Sequence, residues 1–390
     1  MTPLAIALIV LVAMFLLGLP IFMSLIISSV VAILAGGDIL PLSVIHNSLF
    51  DGLNLFPLLA IPCFVVAGTL MEFGNITQQI VDVVKQLVGR VYGGLGITTI
   101  LGCLFFAAMI GSGPGTVAAM GSIMIPSMIK RGYSPEYAAG VSATGGTLGI
   151  LIPPSNPMLV YGIIANVSIS ALFTAGFVPG ALVGTCLMFT AYTIARRHGY
   201  KGTMHSYTMA EFGRALLKNI WSLMAPVVIL GGIYGGFFTP TEAAVVAIFY
   251  SIFVGLFIHR ELTFGGIRHS LQITSWMTGR VLIIMFTAYA FERLLVQYRI
   301  PDMIVEHILG FTSDVAVIWM FVIALLLFLG MFMETLAIIL LATPVLLPVM
   351  TAFGVDPIHF GVVLVCCCGV GFSTPPLGEN IFIASGIADT

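Results

Sequence analysis

Residues 125–156 read IPSMIKRGYSPEYAAGVSATGGTLGILIPPSN, and residues 347–378 read LPVMTAFGVDPIHFGVVLVCCCGVGFSTPPLG. The two stretches align without a gap at a shift of 222 residues. Eight positions are identical, and six of them are Gly or Pro, which constrain backbone conformation. In the first copy they are Pro126, Met128, Gly132, Pro135, Val141, Gly149, Pro153 and Pro154. The chain therefore repeats a backbone geometry, and in each copy a Pro-Pro pair interrupts a long apolar run.

The composition indicates a membrane protein. Hydrophobic residues make up 59% of the chain, charged residues 8%, and the mean hydropathy is +1.14. A soluble domain carries about 25% charged residues, so this chain cannot cover a water-facing surface. It has no basic patch for nucleic acid, and its six cysteines all lie in apolar stretches typical of buried side chains. The sequence predicts an all-α polytopic membrane protein.

Hydropathy and helical spacing predict the order of the elements. Residues 74–92 place apolar positions at helical spacing against polar ones, which predicts an amphipathic helix in the membrane interface. Its counterpart in the second copy begins near Ile300, at a shift of 224. The predicted spans are 3–18, 20–36, 57–73, 176–195, 219–238, 240–258 and 272–290.

Two apolar segments precede the two broken helices. Residues 93–131 are cut at Gly111–Thr116, and basic Arg90 and Lys130-Arg131 flank the segment. This pattern favours a re-entrant hairpin, while two full spans with a short turn are the alternative. Residues 314–350 predict the second hairpin, and residues 135–165 are broken at Ile152–Asn156.

Charge predicts the orientation. Five basic residues against one acidic residue place the 196–218 loop in the cytoplasm. Counting the first broken helix and the four spans after it, five predicted crossings separate the two hairpins, so the repeats should be inverted and the N-terminus periplasmic. The second copy stops at Thr390, which matches Val167 or Ser168, so we expect the native protein to continue with a further helix.

A helix interrupted inside the membrane exposes carbonyl oxygens and amide groups that suit Na⁺ and carboxylates. The first predicted Na⁺ site comprises Ser112, Gly113, Gly149, Ser155 and Asn156. The second comprises Gly330, Glu334, Thr335, Gly371, Thr374 and the Leu377 carbonyl. The alternative is that these Gly and Pro residues serve only packing and kinks.

The substrate is expected between the two hairpin tips. Arg280 has two interpretations, since it can snorkel to the cytoplasmic face or face a substrate anion. Glu242 reads as part of a capping box with Thr239. The predicted substrate-binding residues are Ser112, Thr116, Pro154, Asn156, Pro376, Glu379 and Arg280.

Six motifs follow one another along the chain: Asp51-Gly52, Phe56–Pro62, Gly111-Ser112, Ile152–Ser155, Phe238–Ala244 and Thr374-Pro375-Pro376. Together they resemble the large membrane subunit of tripartite ATP-independent periplasmic (TRAP) transporters, of the dicarboxylate/sialic-acid type. The resemblance implies a Na⁺-driven carrier of the elevator type in the bacterial inner membrane. It also implies two partners, a small four-helix membrane subunit and a periplasmic substrate-binding protein.

An elevator implies two parts. The predicted transport domain comprises residues 93–165 and 312–390, and the scaffold with its arm helices comprises residues 1–92 and 166–311. A stand-alone Na⁺- or H⁺-coupled organic-anion carrier is the alternative function. A membrane enzyme or structural subunit is a third, but no histidine stands beside a partner motif that catalysis requires.

Overall fold

The computed structural model describes residues 3–36, 46, 54–88, 91–202, 208–311 and 314–390, and within these ranges the regular structure is entirely helical. A 3₁₀ turn at Phe56–Leu59 leads into α3, and a π-helical turn at Val254–Ile258 follows α13. The helices are α1 Pro3–Leu16, α2 Ile21–Ala35, α3 Ala60–Phe73, α4 Ile76–Val88, α5 Gly94–Ile110, α6 Gly113–Ile129, α7 Pro135–Gly146, α8 Leu148–Leu151, α9 Asn156–Ile164, α10 Ile169–Arg197, α11 Met209–Lys218, α12 Ile220–Tyr234, α13 Pro240–Phe253, α14 Phe264–Gln297, α15 Ile300–Phe311, α16 Val315–Phe332, α17 Thr335–Ala352, α18 Pro357–Gly371 and α19 Glu379–Ala388.

The repeat found in the sequence is confirmed in the backbone. The α5–α6 pair and the α16–α17 pair each form a helical hairpin, and their tips lie 222 residues apart along the chain. The turn after each hairpin uses a glycine with positive φ, Gly132 at 83° and Gly354 at 77°, which glycine adopts without steric cost. Each broken helix then begins at a proline, and each Pro-Pro pair contains a cis peptide bond.

The repeat also includes the amphipathic helices α4 and α15. Each follows a residue with positive φ, Asn75 or Arg299, so the predicted start near Ile300 is confirmed. The apolar face of α4 is nevertheless covered by protein, because Ile80 and Val84 are buried and α4 packs against α5 and α12. The amphipathic helix is therefore confirmed, with its apolar face packed on protein, and its position in the membrane interface stays a prediction.

The predicted spans correspond to observed helices. The capping box is confirmed, since Glu242 N donates to Thr239 Oγ1 at 3.3 Å and Thr239 N donates to Glu242 Oε2 at 2.8 Å. Helix α10 begins at Ile169, earlier than predicted, because Ser168 caps it by accepting from Ala171 N at 3.3 Å. Six helices within the described ranges are long and apolar enough to cross a membrane, or eight if each of two bent pairs is one span.

The two repeats are packed across each other. Helix α19, which follows the second break, packs against α6 and α7 of the first repeat, while α9, which follows the first break, packs against α17 of the second. At the same boundary the Tyr161 hydroxyl donates to the Pro357 carbonyl oxygen at 2.5 Å. Each half-helix therefore lies on the hairpin of the other repeat. Arg90, which helped to predict the hairpin ends, and the motif Asp51-Gly52 lie outside the described residues.

Candidate functional site

The tip of the first hairpin is a two-residue turn. Gly111, whose φ of 67° is left-handed, is the C-cap of α5, and Ser112 is the N-cap of α6. Ser112 Oγ accepts from Gly115 N at 3.4 Å, and Thr116 Oγ1 donates to the Ser112 carbonyl oxygen at 2.7 Å. These bonds hold the tip in one conformation and leave Gly113 at the first helical position.

The first helix break is organised by a serine. The helix stops after Leu151, passes through the Pro-Pro pair and restarts at Asn156, with Ser155 as N-cap. Ser155 Oγ donates to the Ile150 carbonyl oxygen at 2.6 Å and accepts from Met158 N at 3.3 Å. The hydroxyl thus joins the two half-helices across the break.

The first tip and the first break touch directly. Asn156 N donates to the Gly111 carbonyl oxygen at 3.1 Å. A Cβ on Gly149 would lie 2.5 Å from both the Ser112 carbonyl oxygen and Thr116 Oγ1, so only glycine fits there. The side chain of Asn156 is 9% exposed, and its Oδ1 has no hydrogen-bond partner among the described residues. A buried acceptor without a donor is costly, and a bound cation would satisfy it.

The second tip and break meet in the same way. Leu377 N donates to the Met331 carbonyl oxygen at 2.9 Å. A Cβ on Gly371 would lie 2.7 Å from the Gly330 carbonyl oxygen, so the two helices approach through backbone alone. Thr374 Oγ1 donates to the Val370 carbonyl oxygen at 2.7 Å, which leaves its lone pairs free.

The two tips differ in their capping residues. Glu334 stands at the N-cap of α17, where the first repeat has Ser112, but its side chain makes no capping bond. Its Oε2 instead lies 2.9 Å from Nη2 of Arg280, which extends from α14, and Thr335 next to it is buried. The same Nη2 lies 3.7 Å from Oε1 of Glu379, the first residue of α19. Arg280 therefore belongs to the second tip and faces two carboxylates of the protein itself, while its contact with a substrate anion stays a prediction.

The second break also reaches the first tip. A Cβ on Gly113 would lie 3.0 Å from the Phe372 ring, and Asn380 Nδ2 donates to the Ala143 carbonyl oxygen at 3.1 Å. Sequence reasoning missed Phe372 and Asn380. For Asn380 a signal existed, since an asparagine follows the Pro-Pro pair closely in both copies.

The structure brings Gly149 and Asn156 against the first tip and Gly371 and Leu377 against the second, whereas the hydrogen bonds of Ser155 and Thr374 stay within their own breaks. It joins Arg280, Glu334 and Glu379, and it brings Pro154 against Gly111, while Pro376 is exposed near the second break. Carbonyl, hydroxyl and amide oxygens at both breaks are the ligands that Na⁺ prefers, so these residues fit the ion. The described residues contain no group of three His, Cys, Asp or Glu side chains that could hold another metal.

Two helical hairpins, each closed onto its own broken helix in a multi-pass apolar chain, define a membrane carrier. The chain belongs to the family of the tripartite ATP-independent periplasmic transporter, DctM component, whose model matches residues 8–390. This is the large membrane subunit of TRAP transporters, so the predicted family is confirmed. Its relatives are permeases, which supports a transporter and not an enzyme.

Three curated relatives show the range of the family. The chain is 41% identical over 372 residues to the isethionate TRAP transporter permease protein DctMQ of Oleidesulfovibrio alaskensis, covering 95% of this chain and 58% of that protein. It is 36% identical to the C4-dicarboxylate large permease DctM of Rhodobacter capsulatus, and the match covers 97% of this chain and 88% of that protein. It is 37% identical to the sialic acid large permease SiaM of Vibrio cholerae, and the match covers 88% of this chain and 80% of that protein.

A solved structure supports the fold alone. The YdaH transporter of Alcanivorax borkumensis superposes with a TM-score of 0.60 at 12% identity, covering 88% of this chain and 80% of that one. The likeness confirms the helical transporter architecture.

Proposed function

We propose that this chain is the carrier subunit that imports an organic acid across the bacterial inner membrane by Na⁺ symport. It would receive the acid from a periplasmic binding protein and work with a small four-helix membrane subunit. The relatives named for isethionate, C4-dicarboxylates and sialic acid all handle organic acids, which supports this substrate class. The N-terminus would lie in the periplasm.

One observation carries the proposal: each hairpin tip is hydrogen-bonded to its own helix break. The bonds Asn156 N to Gly111 O and Leu377 N to Met331 O join each tip to its own break, and the buried Asn156 Oδ1 lies unpaired at the first break. A bound Na⁺ would be coordinated by oxygens of the tip and of the break together, and would hold each tip in its ordered state. An ion that prefers the ordered state shifts the population toward it, and the ordered tips then complete the anion site between them.

The moving part would comprise both hairpins and both broken helices, as the elevator prediction states. The packing of α10 against α5, α9 and α18 favours adding residues 169–197 to this unit. The domain boundaries themselves stay a prediction.

The test is uptake into proteoliposomes with both partner proteins, scanning organic acids with and without a Na⁺ gradient. We expect uptake only with an inward Na⁺ gradient and with the binding protein present. Na⁺-driven uptake without the binding protein would favour the stand-alone carrier. Equal uptake in K⁺ would contradict Na⁺ symport.

A further inference from the structure

Arg280 holds two carboxylates at the second tip. Its Nη2 lies 2.9 Å from Glu334 Oε2 and 3.7 Å from Glu379 Oε1. The Arg280 side chain is 46% exposed, so a ligand can reach it, while Glu334 and Glu379 are 17% and 22% exposed. Trp276, one turn earlier on α14, has its ring 5.8 Å from the guanidinium carbon. The guanidinium is therefore shared and still accessible.

The charges of this cluster do not balance. One guanidinium faces two carboxylates, so the cluster has a net charge of −1 when all three groups are ionised. Away from bulk water an unmatched charge is strongly disfavoured. An acidic substrate that bound beside this cluster would make the imbalance larger. Such a substrate needs either a free cationic group or added cations.

The Glu334 carboxylate has an alternative partner, the N-terminus of its own helix. It stands at the N-cap of α17, yet its side chain makes no capping bond because the carboxylate is turned toward Arg280. The first amides of a helix lack intrahelical partners and attract negative charge. Glu334 can therefore leave Arg280 and move toward the start of its own helix. Glu379 is likewise in the first turn of α19.

We propose that Arg280 is an anion-exchange site. In the empty carrier Glu334 and Glu379 occupy its guanidinium, and the carboxylate or sulfonate of the substrate replaces Glu334 there. The displaced carboxylate then lacks a counter-charge, and a Na⁺ bound at the second break supplies it. Acid and Na⁺ therefore strengthen each other's binding, by the same factor in both directions. This inference rests on the proposed function and adds the residues that make the coupling obligatory.

The experiment measures binding without transport. The full-length protein in nanodiscs is melted with isethionate, succinate or sialic acid, in NaCl or in choline chloride. For the wild type we expect an acid to raise the melting temperature only in NaCl. For Glu334→Gln we expect the acid to raise the melting temperature in choline chloride as well, at acid concentrations at which the wild type shows no shift there. Arg280→Gln should abolish the shift, and Arg293→Gln, on the same helix, should behave as wild type.

The outcomes separate this inference from the proposed function. The inference is overturned if Glu334→Gln binds the acid with wild-type Na⁺ dependence, or if Arg280→Gln still binds it. If no acid shifts the wild type in NaCl, the proposed function fails for those acids. A shift that then appears in Glu334→Gln still supports exchange at Arg280. Its absence there overturns the exchange as well.

Discussion

The side-chain amide of Asn380 donates a hydrogen bond to the main-chain oxygen of Ala143, with an N to O distance of 3.1 Å. This fully buried bond joins the second broken helix to the first, across 237 residues of sequence. A Cβ on Gly146, one turn after Ala143 on α7, would lie 3.0 Å from Asn380 Nδ2 and 3.2 Å from the Gly113 carbonyl oxygen, so the bond joins the two broken helices close to the first tip.

Asn380→Ala should lower stability and weaken communication between the sites. Loss of one buried hydrogen bond costs about 1–3 kcal/mol, seen as a lower melting temperature. If the two sites communicate through this bond, the Hill coefficient for Na⁺ should fall toward one. Gly386→Ala on the same helix is the control, since a Cβ there meets nothing within 4 Å. An unchanged Hill coefficient in the folded variant would show that the sites communicate by another route.

Gly149→Ala and Gly371→Ala should abolish Na⁺-dependent uptake. The added methyl groups would lie 2.5 Å from the Ser112 carbonyl oxygen and 2.7 Å from the Gly330 carbonyl oxygen, so each tip must move off its break. Na⁺-dependent thermal stabilisation, measured beside uptake, should be lost in parallel. Gly140→Ala is the matched control, because a Cβ there has open space. Wild-type Na⁺ affinity in Gly149→Ala would argue against an ion at the first break.

Thr374→Ala should raise the half-saturating Na⁺ concentration. The substitution removes one oxygen from the second predicted site, worth about 1–3 kcal/mol. Thr185→Ala is its control, since both hydroxyls donate to the carbonyl four residues earlier but Thr185 is exposed on α10.

Ser155→Ala tests the first site, with the N-cap Ser168→Ala as control. If Thr374→Ala and Ser155→Ala both keep wild-type Na⁺ dependence, the breaks are structural kinks.

Inverted repeats should label from opposite sides. Arg131→Cys and Ala352→Cys place exposed thiols at the ends of α6 and α17 in equivalent parts of the two hairpins. A membrane-impermeant maleimide should reach the first from the cytoplasm and the second from the periplasm. The background must lack native cysteines, because Cys186 is exposed. Labelling of both from one side would refute the predicted inversion.

Ile80→Asp should prevent assembly, whereas Leu87→Asp should be tolerated. Ile80 is 1% exposed and buried by protein, so an aspartate there is an unpaired buried charge costing several kcal/mol. Leu87 on the same helix is 64% exposed. Expression level and size-exclusion profile measure the difference. If Leu87→Asp is equally harmful, the exposed face of α4 contacts lipid or a partner.

Local sequence signals predicted the hairpins and breaks because Gly and Pro determine backbone shape within a few residues. The tip at Gly111 and the two Pro-Pro pairs are of this kind, and the capping box of Thr239 and Glu242 is an equally local signal. The repeat could be predicted for the same reason, since turns of the same geometry need the same residues at the same spacing.

Long-range pairings could not be predicted in this way. Arg280 and Glu334 are separated by 54 residues, and nothing near either one shows which charge it will meet. The amphipathic pattern of α4 predicted an apolar face but not its cover, because lipid and packed helices favour the same side chains. The contact of Asn380 with the first repeat depends on how the two copies cross.

The crossed packing of α9 and α19 means that the unit duplicated in the sequence is not a unit that folds. Either copy, made alone, would expose the surface of its hairpin that the other copy's half-helix covers, and its own half-helix would lose its packing against the other copy. Each duplicated half therefore depends on the other for its packed structure. A chain cut in the loop between α10 and α11 should regain its structure only when both fragments are made together.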